Sequence, residues 1–215
     1  MSGLSQSIAG SSWIFLAVSA AGFAVYLLAL NKAPALGRTV AKTMAVGALS
    51  GLAFHAGGPV LLIVALALSA LGDAFLAHEG EVAFLGGLGS FLAAHIAYAV
   101  LFIVSGPGFA DASVPGLLAM VVFGVGMGML MVRKAGALAL PVAAYVLAIS
   151  VMGLGGLTLG GLVLLGAVLF MASDAILGSE KFLMADTSPL WRFTSPAVWV
   201  LYYAGQLLIT LGLLG

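Results

Sequence analysis

The chain has 215 residues, of which 63% are hydrophobic and only 7% charged. Soluble domains carry about 25% charged residues, so this composition excludes a water-exposed surface and suits contact with lipid. Seven Lys and Arg balance seven Asp and Glu, which leaves no basic surface for nucleic acid. The absence of cysteine excludes a disulfide framework, a thiolate nucleophile and a cysteine-held metal.

The N-terminal segment MSGLSQSIAGSSWIF lacks the basic stretch of a cleaved signal peptide, and the first hydrophobic run reads as a retained span. A membrane span needs about 20 mostly apolar residues. Reading between charge and turn clusters places spans at 12–31, 36–55, 59–77, 82–104, 112–132, 137–153, 158–178 and 193–213. Residues 135–178 form one apolar stretch that as a single helix would run to about 66 Å, twice a bilayer core. The glycine cluster Gly153, Gly155, Gly156, Gly160 and Gly161 is the natural break. Gly47/Gly51 and Gly124/Gly128 have the spacing that lets helices approach closely.

With eight spans, Lys32, Arg38, Lys42, Arg133, Lys134, Lys181 and Arg192 all fall toward one side. The positive-inside rule makes that side cytoplasmic and puts both termini on the other. Seven spans would split the set. The expected fold is therefore an all-α polytopic bundle forming one integral membrane domain, and the Ala/Gly/Leu bias suggests a bacterial inner membrane.

Two segments correspond across half the chain. Gly72-Asp73-Ala74-Phe75-Leu76-Ala77-His78-Glu79 ends the third span, and Ser173-Asp174-Ala175-Ile176-Leu177-Gly178-Ser179-Glu180 ends the seventh. Four spans separate the copies, so they run in the same direction. The pattern implies two parallel four-helix halves, 1–110 and 111–215, related by a pseudo-two-fold axis along the membrane normal.

Asp73 and Asp174 are the acidic residues well inside predicted spans. A carboxylate there costs about 3 kcal/mol even on the milder insertion scales, which makes each a candidate functional group. Two neighbouring buried carboxyls favour one neutral and one ionised form, the pairing that acid–base chemistry uses. Phe91, His95, Tyr98 and Phe102 share one face of the fourth span, and Trp199, Tyr202, Tyr203, Gln206 and Thr210 form a stripe in the eighth. Taken with the aspartates they suggest a polar-bottomed cavity walled by aromatic rings. Lys42 lies more than a turn into the second span, able to contact a lipid phosphate, pair with an aspartate or snorkel to the headgroups. His55 and His78 fall at opposite ends of their spans, so neither readily joins His95 around a zinc ion, and no metal or other cofactor is expected. Glu79, Glu81, Asp111, Glu180 and Asp186 read as solvated loop charges.

The runs SALGDAFLA, FLGGLGSFLAAHIAYAVLF, LGAVLFMASDAILG and YYAGQLLITLG resemble the YhhN-like lysoplasmalogenase family of eight-span membrane proteins, from about the second span to the end. The resemblance implies hydrolysis of the vinyl-ether bond of a lysophospholipid drawn from the bilayer. Fatty aldehyde and a glycerophosphocholine or glycerophosphoethanolamine would be released. It implies roles for Asp73, His95, Asp174, Tyr202 and Gln206. In the expected mechanism Asp174 is the acid and Asp73 the base, although the repeat makes them nearly interchangeable. His95 and Gln206 orient water or the glycerol backbone. Tyr98 or Tyr202 is a further donor, and Lys42, Trp199 and Tyr203 complete the substrate-binding set. The alternative is a proton-coupled small-molecule or lipid transporter, because parallel repeats and buried acids also suit a carrier. An intramembrane aspartyl protease fits less well, since the GxGD glycine is missing before Asp73. The oligomeric state is left open.

Overall fold

A computed structural model describes residues 12–110, 112–185 and 187–215. The N-terminal segment ahead of residue 12, Asp111 and Asp186 lie outside the described residues. Among the described residues, eight α-helices follow in chain order: α1 Ser12–Ala29, α2 Leu36–His55, α3 Val60–Leu76, α4 Glu81–Ser105, α5 Val114–Lys134, α6 Ala139–Leu159, α7 Gly161–Phe182 and α8 Trp191–Leu214. A single 3-10 turn, Gly136–Leu138, leads into α6. In lipid every backbone N–H and C=O must be satisfied within the protein, and helices meet that demand segment by segment.

Six of the helices are long and apolar enough to cross a bilayer, α6 together with its leading turn among them. The other two have physical reasons to differ. α2 contains Arg38 and Lys42, and α3 is 17 residues long and carries Asp73. They are the pair that brings a cation and an anion into the bundle.

Each expected span overlaps one of the eight described helices, and the largest shift is at the break between α6 and α7. The chain breaks at Gly160 and Gly161, both at positive φ (67° and 53°), a backbone region that suits glycine. Gly153, Gly155 and Gly156 instead stay inside α6 and are buried, so α6 continues to Leu159. Removing side chains there lets Phe102 of α4 and Met171 of α7 press against the helix. The tightest helix pair is α7 with α8, where a Cβ on Gly166 would lie 2.7 Å from the Gly205 carbonyl oxygen. The sequence uses small residues to bring these two backbones together.

The helices pack α1 on α2, α2 on α3 and α3 on α4, then α5 on α6, α6 on α7 and α7 on α8. Across the two halves, α4 packs on α6 and α8 packs on α2. Contacts between helix ends gather the basic residues at one end of the bundle. There Arg38 reaches the Tyr26 hydroxyl, Thr39 meets His78, and Phe84 meets both Lys181 and Phe182. At the other end Phe15 lies against His55, and Leu214 against Gly58.

Candidate active site

Both aspartates lie in the bundle interior, each within reach of two helices. Asp73 of α3 receives the Tyr202 hydroxyl of α8 at 2.7 Å and faces the Lys42 ammonium of α2 at 3.6 Å. Asp174 of α7 receives the Tyr145 hydroxyl of α6 at 2.6 Å, with His95 Nε2 of α4 at 3.5 Å. Each carboxyl thus meets the preceding helix of its own half and the last helix of the other half. One takes a lysine and a tyrosine, the other a tyrosine and a histidine.

Aromatic rings stand between the two carboxyls. Tyr202 packs on Phe91 and Phe170, with ring centroids 5.6 and 5.1 Å apart, and Phe170 packs on His95 at 4.7 Å. His95 in turn meets the Tyr145 ring at 5.0 Å. The expected stripe on α4 is buried throughout: Phe91, His95, Tyr98 and Phe102 all face inward. Its polar members are linked to α8, since the Tyr98 hydroxyl donates to Gln206 Oε1 at 2.5 Å.

The stripe on α8 divides between two faces. Tyr202 and Gln206 point toward α3 and α4. Trp199 and Tyr203 point toward α1. The Trp199 indole N–H donates to the Phe23 carbonyl at 3.1 Å, and Phe23 stacks on the Tyr203 ring at 4.4 Å. Tyr203 also shares a hydrogen bond with Ser19. Thr210 is buried and donates back to the Gln206 carbonyl. Lys42 pairs with Asp73 and lies over the Tyr26 ring, 5.3 Å from its centroid.

The two aspartates differ in access. The Asp73 side chain is 2% exposed and sealed, whereas that of Asp174 is 12% exposed. Asp174 opens onto a cleft between α4, α5, α6 and α7, with about 770 Å³ of empty space counting its open mouth. The cleft wall is almost wholly apolar, with Phe91, Met127, Ile149 and Met171 among its lining residues. Lys181 stands at its edge, two turns beyond Asp174 on the same helix, about 10 Å along the axis. Arg133 and Lys134 close α5 at the same end.

Gln206 Nε2 is buried without a hydrogen-bond partner, and His95 Nε2 has only the long 3.5 Å approach to Asp174. Buried polar groups are nearly always satisfied, so an unpaired amide or a weakly paired imidazole in the interior is suited to hold water or substrate. Tyr145 is the site residue that sequence alone does not single out. Tyr145 is the one tyrosine in the apolar stretch 135–178, and that isolation is the signal that marks it. Lys181 belongs to the basic side that the sequence marks, and the structure sets it at the cleft. Glu180 requires correction: it lies in the last turn of α7, is 4% exposed, and accepts from Ser195 Oγ at 3.0 Å. The turn brings it against α8, whereas Glu79 and Glu81 are exposed as expected.

The fold and these buried ionisable groups define a polytopic helical membrane protein with a polar centre open to an apolar cleft. The YhhN family matches residues 37–213, and the chain belongs to that family. Human lysoplasmalogenase TMEM86B is 34% identical over 156 residues, covering 72% of this chain and 63% of the human protein. The chain thus spans somewhat under two thirds of that relative's length. No solved structure matches the chain.

Proposed function

We propose that this protein hydrolyses the vinyl-ether bond of lysoplasmalogens, with Asp174 as the group that handles the proton. The observation that carries the reading is the opening of Asp174, held by Tyr145 and beside His95, onto an apolar cleft with a lysine at its edge. Such a cleft accepts a single hydrocarbon chain, and Lys181 suits the headgroup phosphate. The relative's name, lysoplasmalogenase, supports the same substrate class.

A vinyl ether yields to acid at its β-carbon. Asp174 enters neutral, since a charge facing apolar walls is costly, and gives its proton to that carbon. The ether oxygen then shares the positive charge as an oxocarbenium ion. Asp174, now a carboxylate, is held by the Tyr145 hydroxyl and stabilises the cation beside it. A water held by His95 and Gln206 adds to the cationic carbon and returns a proton to Asp174. As the hemiacetal breaks its bond to the glycerol oxygen, Asp174 gives that oxygen a proton and takes one back from the hemiacetal hydroxyl, so the glycerophospho-alcohol leaves and fatty aldehyde remains. One carboxyl cycles from acid to base, with no net gain or loss of protons.

Asp73 serves this centre from behind Tyr202. The Lys42 ammonium and the Tyr202 hydroxyl both stabilise it as a carboxylate, and its negative charge opposes the transient cation through the aromatic wall. The two carboxyl environments follow the same helix pattern, which supports reading 1–110 and 111–215 as related halves. Within that frame the basic end is the cytoplasmic one, by the positive-inside rule.

The decisive experiment measures aldehyde release by purified protein from a lysoplasmalogen, with the ester lysophospholipid as control. Aldehyde from the vinyl ether, lost in Asp174→Asn, is expected. No aldehyde from well-folded protein across the neutral range would end this reading and make transport in liposomes the next assay.

A further inference from the structure

We propose that the seam between α5 and α6 is the passage by which the substrate's hydrocarbon chain moves between the bilayer and the Asp174 cleft. This rests on the hydrolase reading above. A second groove lies on the outer side of α5 and α6 and is lined by these two helices alone. Its lining residues Val121, Val125 and Leu147 are exposed, as suits a surface bathed by lipid tails. The inner cleft and the outer groove have three lining residues in common: Gly124, Val146 and Ser150. At that point one layer of side chains separates the interior from the membrane.

The layer is thin and free of polar obstruction. Gly124 contributes no side chain, and a Cβ there would clash with Ser150 Oγ and lie 3.1 Å from its Cβ, so the two helices touch at the seam through one small residue each. Ser150 Oγ donates to the Val146 carbonyl of its own helix at 2.7 Å, so no unpaired hydroxyl faces a passing chain. α5 is also the least anchored helix, with Gly124 and Met131 its two buried residues. Met131, Ala135 and Val142 form a separate small core with Phe182 at the basic end. The helix is thus pinned near Lys181 by that small core, while at the seam it meets α6 through a glycine, with no side chain of its own in the contact.

This arrangement suits a lysolipid. Its headgroup stays at the basic edge beside Lys181 while the tail slides sideways from lipid into the cleft. Entry through the headgroup end would instead drag the tail through water. The aldehyde product leaves by the same path into the bilayer.

The chain contains no cysteine, so a thiol pair can be placed across the seam without background. Gly124→Cys with Ser150→Cys brings two thiols together, and copper-phenanthroline with oxygen joins them by removing two electrons and two protons. The oxidised variant should lose about tenfold or more of its turnover on a long-chain lysoplasmalogen in vesicles, relative to the same variant reduced. A reductant should restore it. A short-chain, water-soluble vinyl-ether analogue, which can enter at the Lys181 edge, should be turned over at close to the reduced rate. The cysteine-free parent treated with the oxidant controls for methionine damage. If the first pair does not fold, Gly128→Cys with Val146→Cys makes the same closure, since a Cβ on Gly128 lies 3.4 Å from Val146 Cγ1. Full long-chain turnover in the cross-linked protein would overturn the passage, as would equal loss on both substrates. An inactive parent would instead point to failure of the hydrolase reading.

Discussion

Asp73 and Asp174 share a small-Asp-Ala-x-Leu-x-x-Glu pattern in sequence and sit in different surroundings in the fold. Asp73 is sealed, carries its own cation in Lys42, and is braced by Tyr202. Asp174 has no lysine partner, borrows a tyrosine and a neutral-capable histidine, and opens onto the cleft. A closed ion pair is a fixed electrostatic element, because breaking it leaves an unpaired charge in a medium that cannot solvate it. An open carboxyl beside an apolar cleft can change protonation as substrate arrives. Two carboxyls with like sequence surroundings thus differ in access, and in the proposed mechanism one holds a field while the other moves a proton.

The comparison can be broken most sharply at Asp174. Asp174→Asn should lower turnover on lysoplasmalogen by about 10³-fold, with the fold intact by circular dichroism. Equal or greater loss of turnover in a fully stable Asp73→Asn protein would reverse the roles. Asp73→Asn should instead cost about 3 kcal/mol of stability by leaving the Lys42 charge buried and unpaired. Adding Lys42→Met should recover most of the thermal midpoint in detergent without restoring full turnover. Tyr145→Phe removes the hydrogen bond that holds the Asp174 carboxylate, and kcat should fall about tenfold. Its effect should exceed any change in stability, which thermal unfolding would check.

Lys181→Met tests the edge of the cleft. It should raise KM for the phospholipid about fivefold and leave kcat nearly constant, because the phosphate contact is the same in substrate and transition state. The smallest effect is expected far from both carboxyls. Ser19→Ala removes a buried donor to the Ala45 carbonyl and a partner of Tyr203, and should cost about 1 kcal/mol of stability. Turnover per folded molecule should change less than in Tyr145→Phe, if α1 acts as a brace for α8.

Much of the architecture was legible in the residues because lipid imposes length and apolarity together. The eight helices, the gathering of basic residues toward one end, and the interior position of Asp73, Asp174, His95, Tyr202 and Gln206 all follow from that constraint. Periodicity could not tell which side of a fully apolar helix meets which neighbour. Trp199 and Tyr203 share a helical stripe with Tyr202 and Gln206, yet a few tens of degrees around α8 turn the first pair toward α1. Tyr145 stayed hidden because nothing near it in sequence is polar, although its hydroxyl ends on Asp174 across a helix interface. Glu180 looked solvated for the opposite reason, its neighbours in sequence being polar while its neighbours in space include Ser195.

Residue order alone showed that this is a membrane protein, which segments of the described residues are helical, and which groups are too costly to bury without purpose. Those properties depend on transfer from water to lipid, which each segment experiences on its own. Only the tertiary structure decided which aspartate is locked to Lys42 and which one faces a cleft. That distinction depends on side chains from four helices meeting at angstrom distances, and no single segment carries it.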